Sequence, residues 1–552
     1  MADRSTFEYL PAKLPVATRR ERMAVTSFGG LTLLHGPAQG SGKIQDMKNL
    51  ITDESGALAV RAPRGKYMDS LKEGAPHGVA MHGNTLYFVQ GTVLYGSSVP
   101  GQFLAVGDVE DSDKQFAVFG DKLLVFPDKR YVDGFEGNLR PMEIDTELQT
   151  GVVFRENTIT LPSGKTWIAH GFRVGDGIRV TATGASGSAC AGDCVITSIN
   201  ARTATVSVTY ATEVTADARI TRPIPDLDHM TVLGNRIYGA KGKDLYISAE
   251  GSAFNWYAPL DGGRGPAHLR NDADGDFTAC TSWQGYAVFF KEEHICKVQG
   301  DRSDSFALSD LSAPGIPSSM KKTLCAVGNA LYYHALSGLY RYTGSYPEPI
   351  GRLPEDTVTA GVAGTDGLCY YVAVRRKEDG YIDSWRRYVY EPRSMTWYAE
   401  DNLRPVATVK RGACLIEQAA DGTLWAVRSD GRDTGCSTLE YGKVASDVTF
   451  FPVRPANPDP VRPMALYIRL TGSADATMTV YVATSDGRSA VDITSDAWRL
   501  FGTIPGGMSD RLLRIPLHCA QADSMAVRIG MTGQWRIHEL VWEYECTRTV
   551  GR

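Results

Sequence analysis

The chain has 552 residues, 43% of them hydrophobic, with 57 glycines and a formal charge of −5 from 58 basic and 63 acidic side chains. That length exceeds one compact core and predicts about two to four domains. The charge argues against a protein built to grip nucleic-acid phosphates, while mild acidity is compatible with a surface past which DNA slides.

In chain order, residues 1–25 read as an N-terminal arm. Arg19, Arg20, Glu21 and Arg22 stand in a row without apolar periodicity, which fits a solvated arm or one that docks on a neighbouring subunit. Met1-Ala-Asp-Arg-Ser5 lacks the apolar core of a signal peptide, and no stretch reaches the ~18–20 apolar residues of a membrane span. Synthesis in a cytoplasm is therefore expected. Gly36-Pro-Ala-Gln-Gly-Ser-Gly-Lys43 superficially matches a phosphate-binding loop, but its spacing is one too long and Ile44 stands where a hydroxyl must hold magnesium. It reads as a turn, and Gly56-Ala-Leu-Ala-Val-Arg-Ala-Pro63 as an alternating strand.

From there one phrase recurs about seven times: apolar residues, a tight turn, then an aromatic-rich strand. The turns are Gly83-Asn84, Gly120-Asp121, Gly234-Asn235, Gln284-Gly285, Gly328-Asn329, Asp366-Gly367 and Arg411-Gly412. Successive copies are 37, 114, 50, 44, 38 and 45 residues apart, and most steps lie near the ~40–50 of propeller blades. The expected fold is all-β: a β-propeller of about seven blades, with stacked sandwiches as the competing architecture. Residues 26–147 form its first part and 223–446 its second.

The long step marks an insert at residues 148–222. Short alternating strands such as Cys194-Val-Ile-Thr-Ser-Ile199 and Thr205-Val-Ser-Val-Thr-Tyr210 predict a small β-barrel of five or six strands. Its Cys190 and Cys194 are the only close cysteine pair. They lack the second pair of a structural zinc site, and whether they pair with each other is open. The other cysteines sit mostly singly in apolar strands, as reduced thiols do.

Ser248-Ala-Glu-Gly-Ser-Ala-Phe-Asn-Trp256 resembles the Asp-box turn of sialidases, but Glu250 replaces aspartate, Gly251 comes one place early, and no threonine precedes the tryptophan. Asp272-Ala-Asp-Gly-Asp276 supplies three carboxylates without the remaining ligands of a calcium loop. His294 and His334 fall within strands, where hydrogen-bonded core histidines are expected. No metalloprotease, nucleophile-elbow or Cys-His signature occurs, so no catalytic, cofactor-binding or metal-binding residue is assigned and no enzyme is expected.

Residues 447–463, with Asn457-Pro-Asp-Pro-Val-Arg-Pro463, read as a stiff linker. Residues 464–552 read as a β-sandwich. In its last strand Trp535, Ile537, Glu539, Val541 and Glu543 alternate with Arg536, His538, Leu540, Trp542 and Tyr544, so aromatics fall on both faces.

Three stretches resemble structural proteins of tailed bacteriophages and prophages. The first runs through Leu233-Gly-Asn-Arg-Ile-Tyr-Gly239, Leu245-Tyr-Ile-Ser-Ala249, Phe254-Asn-Trp256, Phe277-Thr-Ala-Cys280 and Gly285-Tyr-Ala-Val-Phe-Phe-Lys291. The second comprises Arg514-Ile-Pro-Leu517, Gly533-Gln-Trp535 and Glu543-Tyr-Glu545. The third, Gly30-Leu31, Asn49 and Gly56-Ala-Leu-Ala-Val-Arg61, is similar to the opening of podophage tail nozzle, hub and DNA-stabilisation proteins. The resemblance implies a homo-oligomeric ring, about six copies, in the virion tail. Its partners would be portal or adaptor proteins and fibres or a tip, with transient contact to passing DNA. The alternative is a peripheral receptor- or glycan-binding tail protein, with Trp535 or Trp542 in an aromatic platform.

Overall fold

The computed structural model describes residues 18–33, 44–71, 73–134, 137–183, 187–353, 358–378, 382–440, 444–453, 460–485 and 498–547. Regular structure among them is antiparallel strand throughout, apart from three single-turn 3-10 helices at Ser188–Cys190, Asp261–Gly263 and Ser318–Met320. Two compact units divide the chain: Arg64–Pro392 with Asn402–Glu440, and Met1–Pro63 with Arg393–Asp401 and Tyr441–Arg552.

The larger unit carries seven small meanders. Their opening hairpins pair Pro76–His82 with Thr85–Gln90, Gln115–Phe119 with Lys122–Phe126, His229–Leu233 with Arg236–Lys241, and Ala279–Trp283 with Tyr286–Phe290. Cys325–Val327 with Ala330–Ala335, Val358–Thr365 with Tyr370–Glu378, and Pro405–Arg411 with Cys414–Ala419 complete the set. Every one of the seven turn signals lies at the tip of one of these hairpins. Gly83, Gly120, Gly234, Gly328 and Gly412 open their turns at φ of 57–59°, the signature of a tight turn whose twist matches the flanking strands. Only the sixth turn is longer, and there the Asp366 carboxylate accepts the backbone N–H groups of Leu368 and Cys369, both at 2.9 Å.

Each meander buries one face against its predecessor and the other against its successor. Tyr87, Val89 and Leu94 of the first meet Leu123, Val125 and Val132 of the second. Phe119, Leu124 and Phe126 then meet Ile237 and Trp256 of the third. The series returns on itself, since Ile416, Leu424 and Ala426 of the seventh pack with Val79, Leu86 and Phe88 of the first. The seventh sheet is completed by Gly65–Met68, from the beginning of the unit, paired antiparallel with Leu424–Val427.

The insert lies between the second and third meanders as one sheet of four strands, Ile144–Thr160, Gly177–Ala182, Gly192–Asn200 and Thr203–Arg222. Four strands replace the five or six expected because Ile144–Thr160 and Thr203–Arg222, at 17 and 20 residues, are each long enough to stand where two shorter strands would. Register shifts at four places in Ile144–Thr160 let Thr203–Arg222 pair with Gly192–Asn200 through its first half and with Gly177–Ala182 through its second. Trp167, Phe154, Phe172 and Ile220 fill the core so enclosed.

The other unit contains two sheets, and here the expected boundaries need correction. Thr18–Val25 is a strand paired with Leu540–Thr547, so the described part of the expected arm belongs to a sheet; residues 1–17 lie outside the described residues. Arg22, whose guanidinium donates to Glu543 at 2.8 and 2.9 Å, anchors it. Residues 26–63 also fall in this unit rather than with the meanders: Ile44–Lys48 pairs with Ala445–Phe450, and Leu58–Val60 with the last strand. Of the expected linker, Ala445–Phe450 is a strand and Val461–Gly472 another, with Pro463 paired to Tyr544 just before a register shift that absorbs its missing N–H. Residues 457–459 of the proline-rich stretch lie outside the described residues.

The last strand also explains its double-faced pattern. Ile537 pairs with Leu470 and Glu539 with Arg469, a register shift that leaves His538 as an extra residue. Such a bulge moves the alternation by one. Trp535 and Ile537 before it, and Leu540, Trp542 and Tyr544 after it, are therefore all buried.

Candidate functional site

In the larger unit a cavity of about 780 Å³ is lined from all seven meanders, through Val79, Phe116, Met230, Cys280, Leu324, Val362 and Val409 among others. These residues stand on or beside the first strand of each meander, where alternation points every second side chain inward. The buried charge of this cavity is paired, whereas Lys321 and Asp276, both exposed, line it without an ion pair among the described residues. Lys114 Nζ lies 2.6 Å from Asp128, both side chains essentially unexposed, in an ion pair whose angle falls short of a hydrogen bond. Lys322 reaches Asp113 at 2.8 Å and the Val406 carbonyl at 3.3 Å. Burial pushes the Asp113 carboxyl up, but the hydrogen bond and charge of Lys322, with Lys321 and His77, hold it below its ordinary value. His229 bonds Gln115 at 3.2 Å, and burial with the charge of Lys321 pushes it down to about 4. It is therefore neutral at pH 7. Burial raises the Cys280 thiol, which keeps it protonated and unreactive. Such a wall can exclude water and fix strands; it presents no poised nucleophile beside a base.

The residues of the first resembling stretch are committed to backbone. Arg236 donates to the carbonyls of Ser248 at 2.9 Å, Gly265 at 2.7 Å and Gly263 at 3.0 Å, closing the third meander's loops. Asn255 donates to Ala258 O at 3.0 Å and accepts from Ala258 N at 2.9 Å. Trp256 donates to Ala253 O at 3.0 Å. Buried Lys291 donates to the carbonyls of Asn271 at 3.1 Å and Ala273 at 2.7 Å, and burial lowers its ammonium below the ordinary range. The third stretch behaves alike. Asn49, at φ 57°, donates to Ala445 O at 2.8 Å and accepts from Arg61 at 2.9 Å. Gly30, at φ 67°, leaves room where a Cβ would lie 2.7 Å from Trp397 O.

The other residues weighed in the sequence do not converge. Gly36–Lys43 lies outside the described residues. Ser248 and Trp256 of the sialidase-like turn are both buried. Asp272 pairs with Arg270 at 2.8 Å, and among the described residues no group of three or more His, Cys, Asp or Glu side chains is placed to hold a metal ion. Cys190 and Cys194 are free thiols in the insert's core, and burial with the charge of Asp193 pushes Cys194 up to about 12. His294 bonds Asp310 at 2.9 Å. His334 departs from the expected hydrogen-bonded histidine: neither ring nitrogen makes a hydrogen bond of ordinary geometry, and burial pushes it down to about 4. Trp535 and Trp542 are 3% and 1% exposed, so they form core rather than a surface platform.

A second cavity, of about 530 Å³, lies on the outward face of the smaller unit's five-stranded sheet. Sequence reading singled out none of its residues, which come from strands up to about 480 positions apart.

No family model and no curated protein matches the chain. Among solved structures, it is similar to the computationally designed Ika8 protein at 9% identity and TM-score 0.32, over 66% of this chain and 99% of that one. It is similar to BamB from Moraxella catarrhalis at 9% identity and TM-score 0.29, over 76% and 99%. For the tricorn protease the values are 10% and 0.24, over 80% and 45%. Likenesses this distant say nothing of activity or partners.

Proposed function

We propose that this chain is a structural component of a bacteriophage tail, of the nozzle or hub type, without enzymatic activity. Its seven meanders are read as the blades of a β-propeller, the insert as a small barrel and the smaller unit as a sandwich. About six copies form a ring around the DNA channel in the virion tail. The ring retains and conducts the genome, joins portal or adaptor proteins, and supports fibres or a tip.

The observation that carries this reading is the use made of the resembling residues. Arg236, Asn255, Trp256, Lys291 and Asn49 all hold main chain in place, as residues selected for shape do and reacting residues do not. Exposed apolar side chains supply assembly surface: Leu104 is 79% exposed beside Val99 and Phe103 on the first meander's outer edge, and Ile168 and Val174 are exposed on the insert. A permanent ring would bury more than ~2,000 Å² per interface. The alternative, a peripheral receptor- or glycan-binding tail protein, loses the platform first assigned to Trp535 and Trp542. Electron microscopy of the purified chain at high concentration, and of particles that carry it, tests the proposal. Closed rings around an axial passage are expected; a monomer at every concentration, absent from particles, overturns it.

A further inference from the structure

The outward face of the sheet formed by Ile44–Lys48, Ala445–Phe450, Ser524–Thr532, Thr477–Ser485 and Arg499–Pro505 carries the 530 Å³ groove. Alternation fixes its chemistry. Met478, Val480 and Val482, with Val527, Ile529 and Met531, point to the core, so the intervening residues line the groove. Register then sets rows across the strands. One row runs Lys48, Asp447, Gly530, Thr479; the next runs Thr449, Arg528, Tyr481. At the end of the groove Trp498 packs over Ala483 and Ala526, two methyl side chains small enough for an indole to lie on the sheet. Gly530, flanked by Asp447 and Thr479, keeps the middle of the floor open, since a Cβ there would meet Thr479 Oγ1 at 2.9 Å.

The groove therefore joins an aromatic wall to a floor of hydroxyls and charged side chains. A pyranose ring asks for both, because its C–H face stacks on an aromatic plane while its edge hydroxyls bond planar polar groups. The charge selects further. Arg528 is exposed and makes no ion pair among the described residues, and Lys48, exposed at the groove's other side, makes none either. A guanidinium left open beside hydroxyls fits a carboxylate through two parallel hydrogen bonds. We infer that this groove binds an acidic oligosaccharide, one sugar ring against Trp498 and Tyr481 and its carboxylate on Arg528, with Lys48 adding long-range attraction. The inference is independent of the tail proposal, since a ring-forming protein and a monomer can each carry such a face.

Isothermal titration of the full chain with uronate hexasaccharides of hyaluronan, alginate and polygalacturonate, against neutral cellohexaose and maltohexaose, tests it. At least one uronate is expected to bind, to quench tryptophan fluorescence and to weaken with salt, with the neutral sugars about tenfold weaker or silent. Trp498→Ala and Arg528→Gln should each weaken that binding about tenfold or more. Arg528→Gln changes an exposed side chain, so it reads binding even if Trp498→Ala unfolds. Absence of binding by all three uronates, equal binding of neutral sugars, or binding that Arg528→Gln leaves unchanged would each overturn the assignment.

Discussion

The two cavities differ less in size than in how their charges are spent. In the meander unit Lys114 meets Asp128, Lys322 meets Asp113, and His229 is held neutral. On the outer sheet face of the smaller unit Arg528 and Lys48 face open groove. A buried charge must be paired, because leaving it unpaired costs several kcal/mol, whereas an exposed one is solvated and can wait for a ligand. The Lys114–Asp128 pair therefore serves stability, and on the proposed reading the exposed Arg528 and Lys48 of the second groove await a ligand.

The largest effect that sharpens this contrast is expected at the buried pair. Lys114→Met leaves buried Asp128 without its cation, its only remaining bond among the described residues the one it accepts from the Glu110 N–H, and should destabilise the meander unit by about 3–5 kcal/mol in denaturant unfolding, while Lys114→Met with Asp128→Leu recovers much of the loss. A single substitution costing under about 1 kcal/mol would contradict the structural role.

Next comes pH. His229 and His334 are both depressed to about 4 in the folded chain, by burial in each case and for His229 also by Lys321. In the unfolded chain they titrate near ~6.5. Between those values the unfolded state binds more protons, so stability is full above about 6.5 and is lost as pH falls towards 4, by up to about 3 kcal/mol per histidine. Unfolding curves measured at pH 7 and pH 4.5 check this, and His229→Gln should flatten the difference.

A smaller loss is expected from Gly472→Ala. The added Cβ would sit 2.4 Å from the Trp535 ring, and overpacking of that kind costs about 1–3 kcal/mol. Gly83→Ala, with nothing within 4 Å, probes the hairpin turn alone through its φ of 58°, at about 1 kcal/mol. The smallest effect belongs to the open groove: Arg528→Gln should move the unfolding midpoint by no more than about 0.5 kcal/mol equivalent while removing sugar binding. A large stability loss there would mean that Arg528 is a structural residue after all.

Much of this was legible in the residues. The seven turns lay where the glycine-bearing pairs put them, and in five of them a glycine takes the positive φ that a hairpin of that twist needs at its first central residue, at little cost. The broken alternation of the last strand was visible as aromatics on two faces, and the bulge at His538 is its cause. The strand at Thr18–Val25 was not legible: Arg19, Arg20, Glu21 and Arg22 look solvated until Glu543, 521 positions away, is brought beside Arg22.

Local rules thus determined the all-β character, the repeat and the insert's position, since turn chemistry and two-residue alternation act over a few neighbouring residues. Tertiary structure alone decided which unit the described residues before Arg64 join, which charges are paired, and that Lys48, Asp447, Trp498 and Arg528 share one groove. Those outcomes depend on pairings between strands hundreds of residues apart, whose register is set by the burial of whole faces and leaves no mark on any short stretch of chain.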